Sequence, residues 1–386
     1  MYWLALRMLT GDRAKFVGIV VGVAFAALLT TLQLSIFAGI MTRTYGGITD
    51  VHGPDIWVMD RDARYFDEIP NLQDNQVLRV RSVAGVEWAV PFFKGLLHAR
   101  LPDGRFQAVL VYGIDDSSLI GGPPEVTAGR LEDLRRPDAV LISERDAAGP
   151  LAARNPDGST RPMVIGDEFQ INDRRAVVVG LCRVSPSILG QPRVYSTLTR
   201  AKQFAPVERK LTSFVLAKAA DGADPAEVAE RISAATGLAA RSKGEFQEMT
   251  FFYVLSKTGV ATNFGIAVAL AFLVGAAIAG QMFFTFVQEN LRQFACLKAM
   301  GVGNPTLARM ALLQAVTAGS VGFGLGVGGA SLFGLAGSYG LLGALEFRML
   351  WQIPVFSAVA VALIVLFSAV IALRQVMTLE PAVVFK

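Results

Sequence analysis

The chain has 386 residues, is 53% hydrophobic and carries a formal net charge of +4, with a mean hydropathy of +0.45. That is too apolar for an ordinary soluble domain and places it among membrane proteins. The positive excess does not read as a nucleic-acid surface: 27 basic and 28 acidic residues nearly cancel between Arg43 and Lys257, and the surplus lies in short segments beside apolar runs, where it sets membrane orientation.

Residues 1–15 mix Tyr2, Trp3, Leu4, Leu6, Met8 and Leu9 with Arg7, Arg13 and Lys15. This pattern predicts an interfacial helix on the cytoplasmic face of a lipid membrane, interrupted at Gly11-Asp12. Residues 16–42 carry no charge. As a helix, their apolar centre rises ~37 Å, enough to cross a hydrocarbon core of ~30 Å with some tilt. The run far exceeds the h-region of a signal peptide and no clear small-x-small site follows it, so an uncleaved anchor is expected.

Three more uncharged runs follow at residues 258–288, 310–345 and 349–373. One ionised residue at mid-membrane costs ~2.5–3.5 kcal/mol on insertion scales, so four such runs predict four spans. Arg7, Arg13 and Lys15 put the N-terminus in the cytoplasm. Alternation then places residues 43–257 outside, 289–309 inside, the Glu346 turn outside and the tail 374–386 inside. The third run is glycine-rich. Gly322 with Gly326, and Gly324 with Gly328, have the spacing that lets two helix backbones approach closely. Gly334, Gly337, Gly340 and Gly343 predict a break near the outer surface before Pro354 opens the last span. Polar residues within the runs are few (Thr30, Thr31, Gln33, Ser35, Gln281, Gln314, Ser320), and Gln33 and Gln281 are expected as interhelical hydrogen-bond partners. No ionisable group lies deep in a span, which argues against an ion-coupled transporter.

The outer segment, residues 43–257, reads as a mixed α+β domain. Strand-like runs are Asp55–Asp60, Val86–Phe93, Leu96–Leu101, Arg105–Gly113, Ala139–Ser143, Glu168–Ile171 and Ala176–Leu181. Pro102-Asp103-Gly104 and Asn172-Asp173 are hairpin turn signals. Helical patterns cover Asn71–Ser82 and Pro225–Thr236. The second has Asp224 as cap, Pro225 at its first position, Glu227 at capping-box spacing and Gly237 as a stop. Ser117–Pro124 and Ala148–Pro162 read as exposed loops.

Nothing in the segment reads as catalytic. His52 and His98 stand far apart, and no GxSxG, P-loop or paired-cysteine metal motif is present. Asp60/Asp62 and Asp115-Asp116 are expected as turn formers. Cys182 and Cys296 fall on opposite sides of the membrane and are not expected to pair. No enzyme, metal or cofactor is expected in this chain.

The segment after the second run reads Leu291-Arg-Gln-Phe-Ala-Cys-Leu-Lys-Ala-Met-Gly301. Leu291, Phe294 and Leu297 recur every three residues, Arg292 and Lys298 lie off that stripe, and Met300 precedes Gly301. Gly301 and Gly303 end the short helix, and Asn304-Pro305 starts another. The residues alone leave two readings open: a helix that transmits the movement of a docked protein, or a charged loop that only satisfies topology.

The run 291–301 resembles the permease subunits of the MacB/FtsX superfamily, and DevC-type permeases in particular. Met377-Thr-Leu-Glu-Pro-Ala-Val-Val-Phe385 resembles the DevC ending, and the layout of one span, a large outer domain and three spans is similar over nearly the whole chain. The broader family often reads Arg-Glu-Ile-Gly where this chain has Arg292-Gln-Phe-Ala295, a departure that favours the DevC branch over MacB itself. The resemblance implies a bacterial inner-membrane protein with both termini cytoplasmic, working as a homodimer. ATP would be hydrolysed on a separate cytoplasmic ABC ATPase. The outer domain would meet a periplasmic membrane-fusion adaptor, with a TolC-like outer-membrane duct beyond. Leu291, Arg292, Phe294, Leu297, Lys298, Met300 and Gly301 are then the expected coupling element. Its apolar members would seat in an ATPase groove, and charge at Phe294 or Leu297 would uncouple without unfolding. An FtsX-like non-transporting regulator of a cell-wall hydrolase and a lipoprotein-releasing permease are the alternatives.

Overall fold

The computed structural model describes residues 2–68, 71–154, 158–188, 190–206, 211–338 and 347–377. In chain order its elements are α1 (Tyr2–Gly11), α2 (Arg13–Arg43), α3 (Gly46–Thr49), β1 (Ile56–Met59), α4 (Gln76–Arg81), β2 (Val86–Arg100), β3 (Phe106–Ile114), β4 (Glu125–Ala128), β5 (Ala139–Ser143) and α5 (Glu144–Ala148). Then come β6 (Ala153–Arg154), β7 (Thr160–Arg161), β8 (Glu168–Ile171), β9 (Arg174–Arg183), β10 (Arg193–Thr197), α6 (Leu198–Phe204), β11 (Phe214–Ala219), α7 (Pro225–Thr236) and β12 (Ala239–Ser242). The last are α8 (Lys243–Lys257), α9 (Val260–Glu289), α10 (Leu291–Ala299), α11 (Asn304–Ser338) and α12 (Gln352–Met377). Two compact units result: a helical unit of Met1–Ile40 with Gly259–Lys386, and an outer unit of Met41–Thr258.

Among the described residues, four helices are long and apolar enough to cross a membrane: Arg13–Arg43, Val260–Glu289, Asn304–Gly337 and Gln352–Val370. The expected interruption after Gly11 separates α1 from α2. Ala5 and Leu9 bury α1 against the core of the helical unit. Gln314 of α11 donates from Nε2 to the Ala5 carbonyl at 2.8 Å, so the interhelical bond expected at Gln33 or Gln281 is found at Gln314. The glycine break needs correction in part. Helix α11 continues through Gly334 and Gly337, with the Phe347 ring packed where a side chain at Gly334 would lie. Gly340, Gly343, the Glu346 turn and the tail beyond Met377 lie outside the described residues.

The outer unit is built on a mixed sheet with strand order β12-β1-β11-β2-β3-β10-β5-β9-β4, and β8 pairs with β2 and β9. Side chains alternate across it with a period of two. Trp57, Phe92, Tyr112, Leu141, Tyr195 and Phe214 face one core, which α3 and α8 cover through Ile48 and Phe246. Val58, Val215 and Ala217 face the other side, under Val228 and Ile232 of α7 and Val80 of α4. Farther along that side Val109, Val111 and Ile142 meet Ala201 and Phe204 of α6. Trp57 is fully buried, edge-on to Phe66, Phe92 and Phe214 with centroids 5.5–5.8 Å away. Such pairs add ~0.5–1.5 kcal/mol each beyond area burial.

The expected turns form. Pro102–Gly104 closes the β2–β3 hairpin, and Asn172 and Asp173, both with positive φ, close β8–β9. Helix α7 spans Pro225–Thr236, capped by Asp224 Oδ1 accepting from the Ala226 amide at 3.2 Å. The capping box forms instead at α8, between Ser242 and Glu245. The two strands expected at Val86–Phe93 and Leu96–Leu101 are one strand, β2. Lys94 does not interrupt it because its ammonium is partnered inside the domain, and Gly95 leaves room for the Phe93 ring. The helix expected over Asn71–Ser82 shortens to α4, and the loop expected at Ala148–Pro162 holds the small β6–β7 hairpin.

Candidate functional site

The candidate element begins at Asn290, where α9 gives way to α10. Asn290 Nδ2 donates to the Phe286 carbonyl at 2.8 Å, and the Asn290 carbonyl accepts from the amides of Gln293 and Phe294 at 3.0 and 3.1 Å. One residue thus ends one helix and starts the next. At the other end the Val302 amide reaches the Leu297 carbonyl (3.1 Å) and the Gly301 amide the Lys298 carbonyl (3.0 Å). This is a Schellman closure, with Gly301 at φ +90° supplying the left-handed residue.

The direction of the helix corrects the expectation from sequence. Phe294 is 1% exposed and Leu297 6%, both within the core of the helical unit, and Leu291 packs against that core. They touch Leu307 and Met310 territory of their own chain and are not free to seat in a partner's groove. The physical reason is length: nine residues give α10 one apolar stripe, and the unit's own core takes it. The outward side carries Arg292, Gln293, Cys296 and Met300, the last 73% exposed; Lys298 is half-buried. Lys15, at the start of α2, bridges Asp12 and Glu289, the last residue of α9. Asn290 and the Lys15–Glu289 pair escaped the sequence reading; an Asn at a helix end beside an acidic residue was the available signal.

The glycines of α11 divide into two faces. A Cβ at Gly322 would lie 2.8 Å from Val23 Cβ, and one at Gly326 would lie 2.5 Å from the Ala24 carbonyl oxygen of α2. Gly324 and Gly328 meet nothing within 4 Å. Close helix packing therefore uses the Gly322–Gly326 pair, and Gly324 and Gly328 lie off that seam.

Among the described residues of the outer unit, two cations are buried. Arg193 of β10 is 2% exposed and pairs with Asp50, the residue capping α3. Ser185 donates to the same carboxylate from its amide (2.9 Å) and hydroxyl (2.8 Å). Asp146 accepts from the Arg193 amide at 3.0 Å. Burial opposes the Arg193 charge, but Tyr112, Tyr195 and Asp50 outweigh it and hold its pKa above the ordinary value. Lys94, 1% exposed, donates to the Phe66 carbonyl at 2.8 Å and pairs with Asp67. Burial lowers it to about 8. Burial also raises the Cys182 thiol to about 12, which keeps it unreactive. Asp115 accepts from Ser117 and Ser118, and Asp62 donates its amide to Asp60, so these aspartates shape turns. Among the described residues no group of three or more His, Cys, Asp or Glu is placed to hold a metal ion.

The MacB-like periplasmic core domain matches residues 16–235, and the FtsX-like permease C-terminal domain matches residues 265–381. An uncharacterized ABC transporter permease of Mycobacterium tuberculosis is 27% identical over 352 residues, 87% of this chain and 85% of the relative. Another, of Mycobacterium bovis, is 25% identical over 273 residues, 68% of this chain and 65% of the relative. Among solved structures, the periplasmic region of MacB from Actinobacillus actinomycetemcomitans aligns with a TM-score of 0.37 at 14% identity, covering 52% of this chain and 94% of that one. The extracellular domain of the Gram-positive ABC-type transporter YknZ aligns at 0.34 and 18% identity, covering 49% and 98%. With spans, outer domain and permease end in this order, the chain belongs to the MacB/FtsX superfamily of ABC transporter permeases.

Proposed function

We propose that this chain is the force-transmitting membrane subunit of an exporter, of the DevC type. A separate cytoplasmic ABC ATPase binds the outward side of α10 and hydrolyses ATP there; this chain supplies no catalytic group. Movement of α10 passes into α9 and α11, and through the outer domain to a periplasmic adaptor and a TolC-like duct. The working unit is a homodimer in a bacterial inner membrane, with both termini cytoplasmic.

One observation carries the reading. Helix α10 is fixed on both sides, at Asn290 and Gly301, and its inner face is built into the core through Phe294 and Leu297. A push on Arg292 or Met300 therefore moves the packed helices instead of bending a loop. The test is capture of a co-expressed cytoplasmic ABC ATPase by the detergent-solubilised chain, with Arg292→Glu and Met300→Glu as variants. Loss of capture with unchanged folding supports the reading; equal capture by both variants rejects α10 as the docking element. Export of a cargo by the assembled complex separates an exporter from a regulator of a cell-wall hydrolase.

A further inference from the structure

We infer that the buried Asp50–Arg193 pair is the fastening by which the segment leaving the first long helix grips the outer-domain sheet, so that displacement of that segment is passed as strain into β10 and its neighbour β3. The inference rests on the force-transmission reading above. Helix α2 runs unbroken from Arg13 to Arg43, only Thr44 and Tyr45 separate it from α3, and Asp50 follows α3 directly. Asp50 therefore stands at the point where a pull on the first span reaches the domain.

Both carboxylate oxygens of Asp50 are engaged. Oδ1 accepts from the Ser185 hydroxyl, and Oδ2 accepts from the Ser185 amide and from Arg193. Arg193 is itself held, since its residue pairs with Leu110 in the parallel β10–β3 ladder and its amide is bonded to Asp146. Packing closes the remaining freedom. A Cβ at Gly46 would fall 2.9 Å from Ser185 Cβ, and Gly47 lies against the Phe66 ring and Tyr112 hydroxyl. The segment that returns toward the second span is tied to the same point. Lys243 of α8 donates to the Val51 carbonyl at 2.7 Å and the Thr49 carbonyl at 3.3 Å, and Gln247 donates to Thr49 Oγ1 at 3.1 Å. Incoming and outgoing connections thus meet at α3.

A buried ion pair is a poor choice for stability alone, since apolar residues of similar volume often serve as well or better. What it adds is direction. An apolar contact allows α3 to slide along the sheet, whereas a carboxylate with three fixed donors holds one position.

The test uses the full chain with its ATPase in lipid nanodiscs. Hydrogen exchange is followed with and without ATP and vanadate, beside the rate of ATP hydrolysis. Wild type is expected to show a nucleotide-dependent change in protection in β3 and β10. Asp50→Asn is expected to reduce that change about fivefold or more. Its α3 amides should exchange about tenfold faster, while hydrolysis stays within about twofold of wild type. An undiminished nucleotide response in Asp50→Asn overturns the fastening and leaves the permease reading intact. No response in wild type overturns the force-transmission reading itself. Should Asp50→Asn fail to fold, Asp50→Leu with Arg193→Met strands no charge. That double variant is expected to fold and to lose the nucleotide response equally; a retained response overturns the fastening.

Discussion

Gly326 of α11 and Ala24 of α2 meet backbone to backbone: a Cβ on the glycine would lie 2.5 Å from the Ala24 carbonyl oxygen and 2.8 Å from the Leu28 amide nitrogen. Neither atom can turn aside as a side chain would. Gly326→Leu should therefore force the helices apart, at a destabilisation of ~2 kcal/mol or more. Gly324→Leu, two residues away where nothing lies within 4 Å, should leave the fold intact. Thermal stability of the two purified variants checks this, and equal loss in both contradicts the packing described.

Phe294 and Met300 stand six residues apart on one helical element and should behave oppositely. Phe294→Ala empties a core position and is expected to cost ~3–5 kcal/mol. Met300→Glu alters a residue 73% exposed and should change stability by less than ~0.5 kcal/mol while removing ATPase capture. Melting temperature and pull-down, measured on the same preparations, read the two effects apart. An uncoupled but stable Phe294 variant contradicts the burial of the stripe.

Lys94 makes the outer domain sensitive to mild alkali. Its pKa is about 8 in the folded chain against the ordinary 10.5, so between those values the unfolded chain binds more protons. Stability then rises with pH, by up to ~1.4 kcal/mol per unit. The rise is clean from about pH 8 to 9. Above that Cys182, raised from 9.0 to about 12, opposes it, because there the folded chain holds the extra proton. Lys94→Met should abolish the rise and leave stability at pH 7 unchanged or higher, since burial rather than pairing dominates the lysine. Denaturation midpoints at pH 7, 8 and 9 settle it.

The two cysteines should label differently. Cys182 is buried with a raised thiol pKa, and Cys296 is exposed. A maleimide is expected to add once to the folded chain and twice after denaturation. With sealed right-side-out membranes, the single folded-state label should require a membrane-permeant reagent. Reaction of Cys296 with an impermeant one contradicts the proposed cytoplasmic placement of α10.

Where the chain carried local chemistry, its sequence was enough. Asp224-Pro225 started α7 and Gly237 stopped it; Asn172-Asp173 turned β8 into β9; four uncharged runs marked the four long helices. What local pattern left open was partnership. Lys94-Gly95 reads as a break in a strand until Asp67 and the Phe66 carbonyl are known to receive the ammonium. Strands β10 and β11 draw their places from neighbours more than eighty residues away in β3 and β2. The stripe of Leu291, Phe294 and Leu297 shows that one side of α10 is covered, but periodicity does not say whether by a partner or by its own chain. The Asp50–Arg193 pair spans 143 positions and has no local signature at all.

Strand β1, near the beginning of the outer segment, is paired on one side by β11 and on the other by β12. Its two neighbours are among the last stretches of that segment to leave the ribosome. The sheet therefore cannot close while the polypeptide is still being threaded outward, and Trp57 must wait for Phe214 and Phe246 to arrive. Maturation of this half of the molecule is tied to the end of its own translocation, and a chain stalled before residue 239 should present the β12-facing edge of β1 unpaired to quality-control proteases.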